Sequence, residues 1–152
     1  MKSIYFIFSI FIITSSCKEE DLPVDLNDPS FTCNIDGNNF SSSSFSASVN
    51  DFDMLSMNFG DGVYTVDFRI YNFSTINTDQ IVYFSVPSMG TVSYQGNAYT
   101  NSYNPPYDGE LVFTEINDGK LSGTLHFKAQ DVDPASFVNM NVTNGLFSNI
   151  DY

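Results

Sequence analysis

The residues able to do chemistry are few and scattered. His126 is the one histidine of the 152-residue chain. It alternates with Thr124 and Lys128, so on a strand all three face water. A catalytic histidine needs a nucleophile or a carboxylate held against it. No Gly-x-Ser-x-Gly turn is present to supply a serine. Glu110 and Glu115 are the only glutamates beyond the first twenty residues. Paired carboxylates hydrolyse glycosides when they converge on one cleft. Five positions apart on one strand, these two point to opposite faces. One histidine and one downstream cysteine serve zinc poorly. No catalysis and no cofactor are expected.

Two weaker constellations remain. Asn50, Asp51 and Asp53 fall in one turn, Asp61 in a second, and Asp131 and Asp133 in a third. Calcium takes six to eight oxygens, which turns at one end of a β domain could supply. None of these segments matches an EF-hand loop, and aspartate also forms turns for local backbone reasons. The better ligand-binding candidate is 94–107, which holds Tyr94, Tyr99, Tyr103 and Tyr107 among Asn101, other amides and two prolines. On a strand Tyr99, Asn101 and Tyr103 share one face. Exposed tyrosines beside amides suit stacking on sugar rings or contacts with a protein. The bland alternative is that these tyrosines pack on the rim of the core.

The residue with the most telling surroundings is Cys17. Lys2 is followed by an apolar run from Ile4 to Ile13, then Thr14-Ser15-Ser16, then Cys17 and Lys18-Glu19-Glu20-Asp21. As a helix, ten residues rise about 15 Å, roughly half of a hydrocarbon core. That is too short to span a membrane and fits a cleaved signal peptide. The segment resembles the lipobox of bacterial lipoproteins, with Thr14 where leucine is usual. The resemblance implies that residues 1–16 are removed and that Cys17 becomes the acylated first residue. Ordinary cleavage after the small residues is the alternative. Lys18, Glu19, Glu20 and Asp21 resemble the surface-export signal of Bacteroidota lipoproteins. The resemblance implies an outer-membrane anchor with the domain facing the cell exterior. A plain solvated charge run, facing the periplasm, is the other reading.

The leader's sixteen residues taken from 152 leave 136, and losing Lys2 moves the formal charge from −13 to −14. Such a surface repels phosphate backbones and anionic headgroups, which excludes nucleic acid as a partner. Membrane attachment is expected through acyl chains on Cys17 alone. Cys33 is then the one remaining cysteine, with no partner for an intrachain disulfide. It reads as a small core residue, with an intermolecular disulfide as the alternative. Residues 17–30 form an acidic tether with two prolines. Its thirteen residues after Cys17 reach about 43 Å fully extended.

Residues 31–152 read as a single β domain. Phe, Tyr, Val, Ile, Thr, Ser and Asn dominate it, a strand and turn composition. Phe31–Ile35, Asn39–Val49, Met54–Phe59, Val63–Phe73 and Ile81–Val86 are expected strands. Thr91–Tyr103 follows as a hairpin around Gly96-Asn97. Then come Glu110–Ile116, Lys120–Ala129, and a final hairpin of Phe137–Thr143 and Leu146–Ile150 around Asn144-Gly145. Tyr64, Val66, Phe68 and Ile70 share one face, as do Leu121, Gly123, Leu125, Phe127 and Ala129. That period of two marks strands with one buried face. Hairpin-connected strands at even spacing predict an antiparallel β-sandwich, or else a meander closing into a small β-barrel.

Gly109-Glu-Leu111-Val-Phe113-Thr114, Leu121-Ser-Gly-Thr-Leu-His-Phe127 and Val142-Thr-Asn-Gly145-Leu-Phe147 carry a second resemblance. They are similar to small uncharacterised lipoprotein domains of Bacteroidota that end in a Ser-Gly-Thr-Phe strand and a Thr-x-Gly-x-Phe hairpin, with Leu125 in place of the phenylalanine. That resemblance implies fold and location only. The expectation is a surface-exposed outer-membrane lipoprotein with a non-catalytic binding domain for a glycan or protein ligand. A structural envelope lipoprotein without a soluble ligand is the alternative.

Overall fold

Asp36 and Gly37 both take positive φ, 49° and 82°, and close the turn between β1 (Ser30–Ile35) and β2 (Asn38–Ser41). Both central positions of a type I′ turn need that backbone, which suits Asp-Gly. In the computed structural model, which describes residues 28–101, 109–133 and 138–152, the remaining strands follow in the same manner. They are β3 (Ser44–Val49), β4 (Met54–Gly60), β5 (Tyr64–Tyr71), β6 (Ile81–Tyr83), β7 (Met89–Tyr94), β8 (Asn97–Thr100), β9 (Gly109–Asn117), β10 (Lys120–Asp131) and β11 (Asn139–Asp151). A short 3₁₀ turn, Phe73–Thr75, follows β5. The leader, Cys17, the tether as far as Asn27, Tyr103, Tyr107 and residues 134–137 lie outside the described residues.

All pairings are antiparallel, and the fold is all-β as expected. The main path of the sheet is β2-β1-β11-β10-β8-β7-β5-β4-β3. β10 is where it forks. One edge of β10 pairs with β11 from Lys120 to Gln130. The other edge pairs with β9 from Lys120 to Phe127, then with β8 at Gln130 and Asp131. β6 adds to the far side of β9. The sheet curls on itself, so that β1 and β9–β11 face β4, β5 and β7 across one core.

Aromatic rings fill that core. Phe31 of β1 stacks on Phe59 of β4 with centroids 4.2 Å apart. Phe68 of β5 meets Phe59, Phe84 and Phe147 of β11 at 5.7, 6.2 and 5.9 Å. Such ring pairs contribute about 0.5–1.5 kcal/mol each beyond their buried area. The alternating faces expected for β5 and β10 are the ones buried. Cys33 is a buried free thiol within the same core.

Several boundaries differ from expectation, each for a local reason. Asn39–Val49 is two strands, because the chain crosses from one face to the other at Ser42-Ser43. There the Ser42 N–H donates to Phe31 O and the Ser43 N–H to Gly60 O. The β7–β8 turn is Gln95-Gly96, with φ of 50° and 83°, one residue earlier than expected. β6 stops at Tyr83 because Phe84 turns into the core and its N–H donates to Gly109 O. The final hairpin does not exist. β11 runs unbroken through Asn144-Gly145. Asn144, at φ 52°, is an extra residue in the ladder, since Leu125 and Phe127 pair with Gly145 and Val142. Asn-Gly chemistry suits such a bulge as well as a hairpin. A second bulge at Asn149 (φ 53°) bends the strand again. The buried positions of β11 are therefore Met140, Val142, Gly145, Phe147 and Ile150.

Candidate functional site

The outer face of the β6–β9–β10–β11 half gathers side chains far apart in sequence. Ile81 pairs with Val112, Val112 with Thr124, and Thr124 with Leu146. The next row runs Tyr83, Glu110, His126. Lys128 follows two residues on along β10, on the same face. Two strand spacings, about 10 Å, separate Tyr83 from His126. Tyr83, Leu146 and Ile81 are 59, 54 and 46 % exposed, and His126 and Lys128 are open to solvent.

Two adjoining grooves follow these rows. The larger, about 530 Å³, runs from Glu110 and His126 across Thr124 to Leu146 and the Asn144 bulge. The smaller, about 160 Å³, lies among Tyr83, Gly109, Glu110, His126 and Lys128. Glu110 and His126 line both. The bulge matters here. An extra residue in β11 turns the strand and leaves a step in an otherwise level face.

Several polar side chains elsewhere are engaged. Asp36 accepts from Asn141, Asp53 accepts from Ser74, and Asp61 accepts from Val63 and Tyr64. Lys120 reaches Asp151 at 2.9 Å, and Ser122 donates to Glu115 at 3.0 Å. The side chains of Tyr83, Glu110, His126 and Lys128 form no hydrogen bond or ion pair with another described residue, although their backbones are held in the sheet. An aromatic plate, an acceptor, a donor and a cation thus stand in one row and its flank, unengaged.

The expected sites fare differently. Tyr99 and Asn101 do share a face, but it is the core face, 5 % and 4 % exposed. Tyr99 pairs with the buried Val92. The Asn101 side chain accepts from Gly90 N–H and donates to Phe84 O, both at 2.8 Å. A buried amide so bonded holds two chain segments together, and its burial keeps it from a ligand in solvent. Tyr94 stacks on Tyr64 at 4.6 Å and packs against the core. Tyr103 and Tyr107 lie outside the described residues, as do Cys17, Lys18, Glu19, Glu20 and Asp21.

The acidic turns are not brought together. Asp51 and Asp53 sit at the end of the sheet where Met54 pairs with Tyr71. Asp131 and Asp133 sit at the other end, where the Val132 N–H donates to Ala98 O beside the Gln95-Gly96 turn. Asp61 belongs to that second end. Among the described residues no three or more His, Cys, Asp or Glu side chains form a group able to hold a metal.

The glutamates are also placed differently than expected. Ser122 pairs with Glu115 and Gly123 with Phe113, so Thr114 is an extra residue. This bulge puts Glu110 and Glu115 on the same outer face. Their partners on β10, His126 and Ser122, are four residues apart. At the rise of a strand this is about 13 Å, beyond the roughly 5–9.5 Å of glycosidase carboxylate pairs.

Burial pushes the Cys33 thiol up to about 12, with the nearby Asp61 charge adding to it. The thiolate is the reactive form. Cys33 should therefore resist iodoacetamide at pH 8 in the folded chain and react only after denaturant is added. Rapid labelling of folded protein, read by mass spectrometry, would contradict its burial. Only the unfolded chain loses this proton near pH 9, so stability falls as pH rises above that value.

A family model described as "Domain of unknown function (DUF6252)" matches residues 27–151. No curated protein and no solved structure matches the chain.

Proposed function

We propose that this chain, which belongs to the DUF6252 family, is a lipid-anchored outer-membrane lipoprotein whose β domain binds a glycan at the cell exterior without turning it over. Cys17, behind its short apolar run and ahead of Lys18-Glu19-Glu20-Asp21, supports the anchor and its outward display. One observation carries the binding reading. The side chains of Tyr83, Glu110, His126 and Lys128, unengaged by any other described residue, stand along two joined grooves on an open sheet face.

The chemistry fits a sugar chain. A tyrosine ring offers a flat apolar surface with a polar tip. Glu110 accepts from hydroxyls, Lys128 donates to them, and a neutral imidazole does both. The grooves are shallow and open along the strands, which accommodates a chain better than a small enclosed molecule. The separation of Glu110 from Glu115 argues against these two acting as a cleaving pair.

Tyr83→Ala combined with His126→Ala should weaken glycan binding at least tenfold, about 1.4 kcal/mol. Both side chains are on the surface, so the melting temperature should hold, as surface changes usually stay within about 0.5 kcal/mol. Glycan-array binding of wild type and variant, with calorimetry of each, makes the comparison. Unchanged binding in a folded variant would overturn the site. A blank array for the wild type would favour the structural envelope role. Turnover of a bound glycan would overturn the non-catalytic reading.

A further inference from the structure

β3 is the longest described strand with one ladder partner only: it pairs with β4, and although β11 passes close to it, no other described strand is paired along its second edge. Free edges offer unpaired N–H and C=O groups, and proteins commonly blunt them with lysine, proline, bulges or short length. β3 has six residues, Ser-Phe-Ser-Ala-Ser-Val, and none of these devices. Its register against β4 is unbroken from Ser44 to Val49. The other edge strands are shorter, with four residues in β2 and three in β6.

The face of β3 is also incompletely covered. Phe45, Ala47 and Val49 pair with the buried Phe59, Met57 and Leu55, so they belong to the core side. Yet Phe45 and Val49 are 40 % and 38 % exposed. Charge says what fits there. The chain carries −13 overall, but residues 37–50 contain no charged side chain. In a strongly acidic protein a second copy can approach this edge without like charges meeting along it.

We infer that β3 pairs with β3 of a second copy of this chain, antiparallel about a two-fold axis at Ala47. This register opposes all three inward residues: Ala47 to Ala47, and Phe45 to Val49 of the second copy. Ser46 then faces Ser48, and Ser44 faces Asn50. The nearest acids, Asp51 and Asp53, fall opposite Ser43 and Ser41, so no like charges oppose each other. An isologous contact of this kind closes as a dimer and continues the sheet across it.

The test is a disulfide across the axis. Directly opposed residues of antiparallel strands have Cα atoms about 4.5–5.5 Å apart, within disulfide reach. Full-length chain with Ala47→Cys, oxidised in the membranes of the cells that make it, should give a band at twice the chain mass. Arg69→Cys, exposed on β5 of the same sheet half, should not. Adding Phe45→Lys to Ala47→Cys should abolish the band while the variant keeps its melting transition. No band from Ala47→Cys, equal bands from both cysteine positions, or a band that survives Phe45→Lys would each overturn the pairing. A β3 covered by another segment of its own chain or by a different protein gives the first of these results.

Discussion

Replacing Phe68 by alanine should cost about 3–5 kcal/mol, the usual range for deleting a buried phenylalanine. Phe68 is 1 % exposed and lies between Phe59, Phe84 and Phe147. Those rings come from β4, the segment after β6, and β11, so one side chain ties both halves of the curled sheet together. They cannot all collapse into the space it leaves, because each is also fixed by its own strand. A domain of this size has about 5–15 kcal/mol in hand, and the melting temperature should fall by roughly 10–20 °C. Phe52→Ala is the control. That ring is 84 % exposed and its loss should shift stability by no more than about 0.5 kcal/mol. Thermal unfolding followed by circular dichroism compares the two. A Phe68→Ala domain that melts with the wild type would mean the two halves do not share this core.

The second large effect concerns the anchor. Each buried methylene contributes about 0.8 kcal/mol; one acyl chain alone holds only marginally, and two together give stable attachment. The chain is strongly acidic, and among the described residues no helix is long and apolar enough to cross a membrane. Cys17→Ala should therefore abolish palmitate incorporation and remove the domain from the outer-membrane fraction. Protease added to intact cells should cleave the wild-type domain and spare the variant. Palmitate labelling that persists without Cys17 would contradict the anchor. A wild-type domain protected until the outer membrane is opened would contradict the outward display.

The period of two was the legible part of the fold. Tyr64 to Ile70 and Leu121 to Ala129 announced which face they bury, because strand geometry leaves an alternating pattern no other choice. Asp36-Gly37 and Asp118-Gly119, the latter between β9 and β10, are dipeptides that suit the positive φ their turns take. Asn144-Gly145 misled for the same reason: a left-handed asparagine serves a bulge as readily as a hairpin. The choice between them lay in whether Leu125 and Phe127 would pair with both flanks, which is a property of β10. Bulges at Thr114 and Asn144 also shift which residues share a face. That is why Glu110 and Glu115 reversed their expected relation.

The candidate site was half legible. His126 and Lys128 were readable as outward-facing from their alternation with Leu125 and Phe127. Their company was not. Tyr83 reaches them only because β6 pairs with β9, across a connection of more than twenty residues, and sequence does not state that pairing. The segment richest in tyrosine pointed elsewhere. Tyr99 and Asn101 were correctly placed on one face, but composition could not say that this face met Val92, Gly90 and Phe84. An amide beside aromatics looks the same whether it awaits a ligand or bonds two buried backbone groups.

The claim that the β6–β9–β10–β11 face is the ligand surface is most directly tested by mapping. Backbone amide shifts of isotope-labelled protein would be followed while a mixture of cell-surface oligosaccharides is titrated in. The account predicts concentration-dependent shifts confined to Tyr83, Glu110, Val112, Thr124, His126, Lys128 and the Asn144–Leu146 bulge. Shifts gathered instead on the serine-rich outer face of β3, β4 and β5, around Ser48, Ser56 and Arg69, would contradict it.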